Sequence, residues 1–147
     1  EADAYIKSYL SHYPKVAEFM NKTVEDAKAN GYVTTFLGRR RYIPELASSN
    51  KILQAAGRRI AMNTPVQGAA ADIIKIAMVK VYNRLKAENL SAKLILQVHD
   101  ELIIEADESC ADKAAEILKE EMQNACRLNV PLTVDVNKGK SWYDAKA

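Results

Sequence analysis

One stretch constrains this chain more than any other. Gln97-Val98-His99-Asp100-Glu101 lies between two apolar runs, Leu94-Ile95-Leu96 and Leu102-Ile103-Ile104. Each run has strand length and β-branched content, and the short polar interval predicts a tight hairpin with His99, Asp100 and Glu101 at its tip. Alternation sends Leu94, Leu96 and Val98 to one face and Lys93, Ile95, Gln97 and His99 to the other. The Leu/Val face is expected to pack on the preceding helix. Asp100, next in that series, is then carried past the end of the core on a rigid element. Adjacent carboxylates repel each other, and hard cations such as Mg²⁺ take oxygen ligands of this kind. For so short a motif a solvated acidic turn is the commoner outcome, so the rest of the chain has to decide.

The flanks of the hairpin predict its support. From Gly68 to about Glu88, the residues Ala70, Ile73, Ile74, Ala77, Met78, Val81 and Leu85 follow helical spacing. A second helix is expected over 108–127, with Asp107 as its N-cap, and a third strand over Pro131–Val136. Helix, strand, strand, helix, strand fits an α+β arrangement: an antiparallel sheet with helices packed on one face. No repeat or low-complexity linker interrupts it.

The part before this is mostly helical with one β-hairpin, and reads as a separate lobe. A helix over 2–11 gathers Tyr5, Ile6, Tyr9 and Leu10 on one side, as packing residues. Pro14 opens the next helix, where its missing N–H costs nothing, and Asn30-Gly31 ends it. Tyr32–Phe36 and Arg39–Ile43 read as two strands around Gly38. Alternation points Arg39 and Arg41 one way and Arg40 the other, so the three cannot share one phosphate. Ser48-Ser49-Asn50 offers N-caps for a helix from about Lys51 to Asn63. Arg59, Asn63 and Gln67 recur at steps of four, and Pro65 is expected to kink or break the helix near Thr64. Such a line of polar residues can hydrogen-bond phosphates, sugars or base edges; a polar outer stripe is the plain alternative.

Charge points the same way as that line. The net charge is only +2, but Arg39, Arg40, Arg41, Lys51, Arg58 and Arg59 stand against the single acid Glu45. That segment carries +5 and the remainder −3, a local field suited to a polyanion or to plain solvation. With 48% hydrophobic and 27% charged residues the 147-residue chain is ordinary for a soluble domain. No apolar stretch nears the ~20 residues that span a bilayer. Cys110 and Cys126 fall near opposite ends of one predicted helix, roughly 24 Å apart. A disulfide needs about 7 Å or less, so both are expected as free thiols in a reducing cytoplasm. The acidic opening Glu1-Ala2-Asp3 reads like the inside of a helix, as in a fragment.

Three stretches together resemble a known family. Gly38-Arg39-Arg40-Arg41-Tyr42-Ile43-Pro44, then Asn63-Thr64-Pro65-Val66-Gln67-Gly68-Ala69-Ala70-Ala71-Asp72, then Gln97-Val98-His99-Asp100-Glu101 are similar, in order and spacing, to the C-terminal part of bacterial family A DNA polymerases of the polymerase I type. The likeness runs to the closing Trp142-Tyr143-Asp144. It implies a palm sheet, with residues 1–64 ending the fingers and 65–147 forming the C-terminal half of the palm. It implies that Asp100 binds catalytic Mg²⁺, that Glu101 supports it and that His99 contacts the primer end. Arg59, Asn63 and Gln67 then touch primer–template DNA; the basic Arg39, Arg40 and Arg41 are further DNA-binding candidates, at least one of them expected to be structural or solvated. The implied reaction adds deoxynucleotides from deoxynucleoside triphosphates to a primer 3′-hydroxyl in replication and repair, with two metal ions. A second set of metal ligands would come from a missing upstream part, so the chain alone is expected not to polymerise. The implied parent is a cytoplasmic monomer with no membrane contact. Arg58 stands where relatives often have Glu, and Ala69 where many have Thr.

Two other readings fit parts of the chain. A nucleic-acid-binding module without catalysis uses the Arg39–Arg59 field but has no need of Asp100-Glu101. A metal-dependent phosphohydrolase uses the acids but needs more ligands than His12 and His99 provide.

Overall fold

The computed structural model describes residues 2–146. They divide into two compact units that meet between Ala69 and Ala70, inside one long helix.

The first unit opens with α1 (Ala2–His12) and α2 (Pro14–Asn30). Local signals set their bounds. Pro14 sits in the first turn of α2, and Gly31 ends it at φ 78° with its N–H donated to the Ala27 carbonyl. Contrary to the expected packing role, α1 buries none of its residues: Tyr5, Ile6 and Tyr9 are all exposed. Strands β1 (Tyr32–Thr34) and β2 (Arg40–Tyr42) form an antiparallel hairpin in the register Tyr32↔Tyr42, Val33↔Arg41, Thr34↔Arg40. A 3₁₀ turn at Pro44–Ala47 follows. Val24, Ala27, Val33, Ile43, Leu46 and Ala61 make the core of this unit.

Helix α3 runs from Lys51 to Ala87 without interruption, so the expected break near Thr64 does not occur. Asn50 caps it, its Oδ1 accepting the Ile52 N–H at 2.9 Å. Pro65 removes one backbone hydrogen bond, at a cost of about 3 kcal/mol in a helix interior. Packing overrides that local cost: Ala61 and Thr64, one turn and one residue before it, are buried. Gly57 and Gly68 mark where the hairpin side approaches α3. A Cβ on Gly57 would lie 3.0 Å from the Leu46 backbone nitrogen, and one on Gly68 2.5 Å from Thr35 Cγ2.

In the second unit β3 (Ala92–Val98) pairs antiparallel with β4 (Glu101–Ala106). A 3₁₀ turn (Glu108–Cys110) leads into α4 (Ala111–Gln123), and α5 (Trp142–Ala145) closes the chain. The expected helix over 108–127 is thus shorter, and the Asp107 side chain makes no cap; its backbone carbonyl accepts the Cys110 N–H instead. Ala77, Val81 and Leu85 of α3, Leu102 of β4, and Ala114 and Ile117 of α4 form the core, with Ala92, Leu94 and Ile104 against it. The helices therefore cover one face of the hairpin. Arg84 fastens α3 to α4 through Glu120 and Glu121 at 2.5 and 2.9 Å, and also holds Glu88. These bonds, that to Glu121 foremost, hold its guanidinium protonated well above its usual range.

Two expectations fail here. Residues 131–136 form no strand. Leu132, Val134 and Val136 are half-buried while Pro131, Thr133 and Asp135 are exposed, so the alternation is present; among the described residues no strand offers it a ladder. The face assignment of β3 also changes. The register runs Leu94↔Ile104, then Leu96↔Ile103, leaving Ile95 unpaired in a bulge. One extra residue inverts the parity of all that follow. Leu94 faces the core, but Leu96 is exposed and shares the outer face with Ile103 and Val98, while Gln97 falls opposite the buried Leu102.

Candidate functional site

Each unit carries one cluster of the residues singled out by sequence. In the first, β2 and the residue before it place three arginines by alternation. Arg39 Nη2 donates to the Gly68 carbonyl at 3.0 Å, and Arg41 Nη1 to Thr64 Oγ1 at 3.3 Å, so both turn toward α3. Arg40 turns away, its guanidinium 4.8 Å from the centre of the Tyr32 ring. Arg59, Asn63 and Gln67 recur along α3 at one-turn spacing, and the helix is unbroken, so they share a face. Together with Arg41, Ala56, Ile60 and Thr64 they line a groove of about 430 Å³. Two guanidinium groups and two carboxamides in one concavity give an electropositive, donor-rich surface. Phosphate oxygens and base edges are the acceptors that such a surface matches.

In the second unit Val98 faces Glu101, so His99 and Asp100 form a two-residue turn. His99 adopts φ 53°, a left-handed conformation that histidine tolerates better than most residues. Gln97 Nε2 donates to the His99 carbonyl at 2.5 Å and braces the tip. His99, Asp100 and Glu101 are exposed. Glu101 Oε2 meets Lys146 Nζ at 3.3 Å, and that ammonium also lies 5.0 Å from the Trp142 ring centre. The adjacent carboxylates offer the hard oxygen donors that Mg²⁺ takes. Among the described residues no group of three or more His, Cys, Asp or Glu could hold a metal ion. The tip therefore fits part of a divalent-cation site and not a complete one.

The profile of DNA polymerase family A matches residues 1–144. The chain belongs to DNA polymerase family A. It is 51% identical over 146 residues to the DNA polymerase I of Caldicellulosiruptor bescii, covering 99% of this chain and 17% of that protein. The DNA polymerase I of Bacillus subtilis is 50% identical over the same share of each. A solved structure of the POL domain of Pol1 from M. smegmatis, in complex with DNA primer-template and dNTP, superposes with a TM-score of 0.96 at 42% identity. It covers all of this chain and 26% of that one. The chain thus spans 17% of the length of the curated family A relatives named here.

Within this family A segment, sequence reading missed three contributors. Thr64 is the acceptor for Arg41, a contact 23 positions apart that no local pattern signals. Lys146 is the cation beside Glu101; only its place near the closing Trp142-Tyr143 hinted at a role. Gln97, an outward strand residue by alternation alone, braces the turn. Neither cysteine is in a disulfide. No helix among the described residues is long and apolar enough to cross a membrane.

Proposed function

We propose that this chain is the C-terminal fingers and palm portion of a DNA-directed DNA polymerase that extends a primer 3′-hydroxyl with deoxynucleoside triphosphates. Residues 1–64 belong to the fingers and 65–147 to the palm. The observation that carries the reading is the likeness of the whole of this chain to about a quarter of a polymerase chain solved with primer-template and dNTP. The groove of Arg41, Arg59, Asn63 and Gln67 is of the kind that binds DNA.

In this reading the groove binds the primer–template and fixes its register, because phosphate contacts position and base-edge contacts specify. Arg59, Asn63 and Gln67 make these contacts. Arg40, stacked on Tyr32, and Arg39, bonded to Gly68, add positive field. His99 touches the primer end from the turn. Asp100 holds divalent cations, and Glu101 supports the site, with Lys146 close enough to orient its carboxylate. Asp100, together with the upstream ligands, would hold two Mg²⁺ ions, which would supply activation of the attacking hydroxyl and charge stabilisation for the leaving pyrophosphate. The second set of ligands comes from an upstream part of the polymerase. The enzyme acts in the cytoplasm as a monomer, in replication and repair.

Primer extension tests this. Residues 1–147, substituted for the matching segment of the B. subtilis relative, should support extension of a labelled primer. Asp100→Ala in that chimera should lower the rate by about a hundredfold or more, as removal of a principal charge-stabilising group does. The isolated 147-residue chain should extend nothing. Extension by the isolated chain, or an Asp100→Ala chimera as fast as its parent, contradicts the reading.

A further inference from the structure

The three consecutive arginines have three different surroundings. Arg40 lies over Tyr32, and Arg39 is bonded to the Gly68 carbonyl. Arg41 lines the groove beside Arg59, Asn63 and Gln67. What distinguishes Arg41 is its partner. Thr64 has one hydroxyl hydrogen, and it donates that hydrogen to the Ile60 carbonyl at 2.7 Å. The Oγ1 lone pairs are thereby aimed outward, and Arg41 Nη1 meets them at 3.3 Å. Thr64 is 8% exposed, so the surrounding side chains fix its rotamer. Two hydrogen bonds in series thus connect the backbone of α3 to a cation in the groove.

We propose that Thr64 is a positioning residue. Its hydroxyl pins one arm of the Arg41 guanidinium to α3 and presents the other donors to a DNA phosphate beside Arg59. An arginine has five N–H donors in a rigid fork, so one bond to Thr64 leaves a face for a phosphate. A side chain already held in place loses less freedom on binding. The proposal rests on the polymerase reading of the groove and adds to it a device within the groove wall.

The test is fluorescence anisotropy of the polymerase chimera carrying residues 1–147 with a labelled primer–template duplex, repeated across a range of NaCl concentrations. Thr64→Val keeps the side-chain shape and removes the hydroxyl. It should weaken binding by about three- to tenfold and reduce the slope of log affinity against log salt by about one, the signature of one lost phosphate contact. Arg41→Gln should give the same loss, and the double variant should be no weaker than either single one. Thr64→Ser should restore both affinity and slope. Wild-type affinity and slope in Thr64→Val, or losses that add in the double variant, overturn the proposal. Should Thr64→Val fail to fold by circular dichroism, Thr64→Ala replaces it in the same cycle. An Arg59→Ala/Asn63→Ala control separates the two levels. If that control loses binding while Thr64→Val does not, only the positioning role fails. If the control binds as tightly as the unchanged chimera, the groove is not the DNA site and both readings fail.

Discussion

The β1–β2 hairpin has three-residue strands, buries Val33 in the same core as Ala61 of α3, and is bonded to that helix by two arginine side chains, at Gly68 and Thr64. The β3–β4 hairpin has strands of seven and six residues and rests on its core through Leu94, Leu102 and Ile104, with Asp100 and Glu101 in water. One is fastened in part by the groups that carry its charge. The other is fastened by apolar side chains, and while Glu101 meets Lys146, the exposed Asp100 carboxylate is left for something else to meet. A guanidinium has donors to spare, so the first arrangement can hold a cation and still offer it to a phosphate. A carboxylate committed to the protein would be a poorer metal ligand. Placing Asp100 at a tight turn gives it a fixed position without using up its oxygens.

The sharpest way to break this comparison is to remove apolar support from the acidic hairpin. Leu102 is 8% exposed and sits in the same cluster as Val81 and Ile117. Leu102→Ala should cost about 2–5 kcal/mol, the usual range for a buried leucine, read from urea unfolding. A loss below about 1 kcal/mol would mean that hydrogen bonds, and not packing, hold this hairpin.

The basic hairpin should respond to crowding at its attachment to the helix. A Cβ at Gly68 would lie 2.5 Å from Thr35 Cγ2, and Thr35 is itself 5% exposed, so that methyl has little room to retreat. Replacing glycine by alanine inside a helix normally stabilises by about 1 kcal/mol. Gly68→Ala should instead destabilise, by about 1–2 kcal/mol net after overpacking. A stabilised variant would show that the hairpin can shift off α3 at no cost.

How much of this could be read from the residues follows from the range of each interaction. Caps and turns are local, so Pro14, Gly31 and Asn50 announce their roles. Alternation is local too, which is why Arg39 and Arg41 separate from Arg40 as the period of two requires. The bulge at Ile95 was hidden because Leu94, Ile95, Leu96 and Val98 are all apolar, and either parity satisfies such a run. The helix through Pro65 was hidden because its cost is local while the packing of Ala61 and Thr64 that offsets it is tertiary. The segment 131–136 has strand periodicity without a strand, since periodicity records burial and a ladder needs a partner. Both acids and the line Arg59, Asn63, Gln67 were visible as motifs. Thr64 and Lys146 were not, because each acts on a residue far along the chain.

The turn itself offers a smaller test. His99 at φ 53° carries the cost of a left-handed residue with a Cβ, about 1–2 kcal/mol. His99→Gly should recover part of that, stabilising the second unit by up to about 1 kcal/mol in urea unfolding, less the greater unfolded-chain entropy of glycine. In the polymerase chimera the proposed role of His99 at the primer end requires that the same substitution slow primer extension. A faster chimera would remove His99 from the site and leave it as a turn residue only.

The smallest expected effect compares the exposed ion pairs with the bonded arginines of the first hairpin. Lys138 Nζ contacts Asp112 Oδ1, tying the segment after residue 131 to α4. Its hydrogen bond, and then its charge, holds the Asp112 carboxyl below the ordinary value of 3.8. A lowered folded-state pKa adds stability above the unfolded value, which is lost as pH falls from about 4 through the folded value. Both groups are well exposed, so solvent and salt should screen the contribution to a small one. In an NMR titration the Asp112 carboxyl should titrate below the ordinary value in the unchanged chain and return to it in Lys138→Ala. At about 1 M salt the difference should disappear. A shift that survives the substitution at low salt would assign the low value to α4, whose first turn contains Asp112, through the helix dipole.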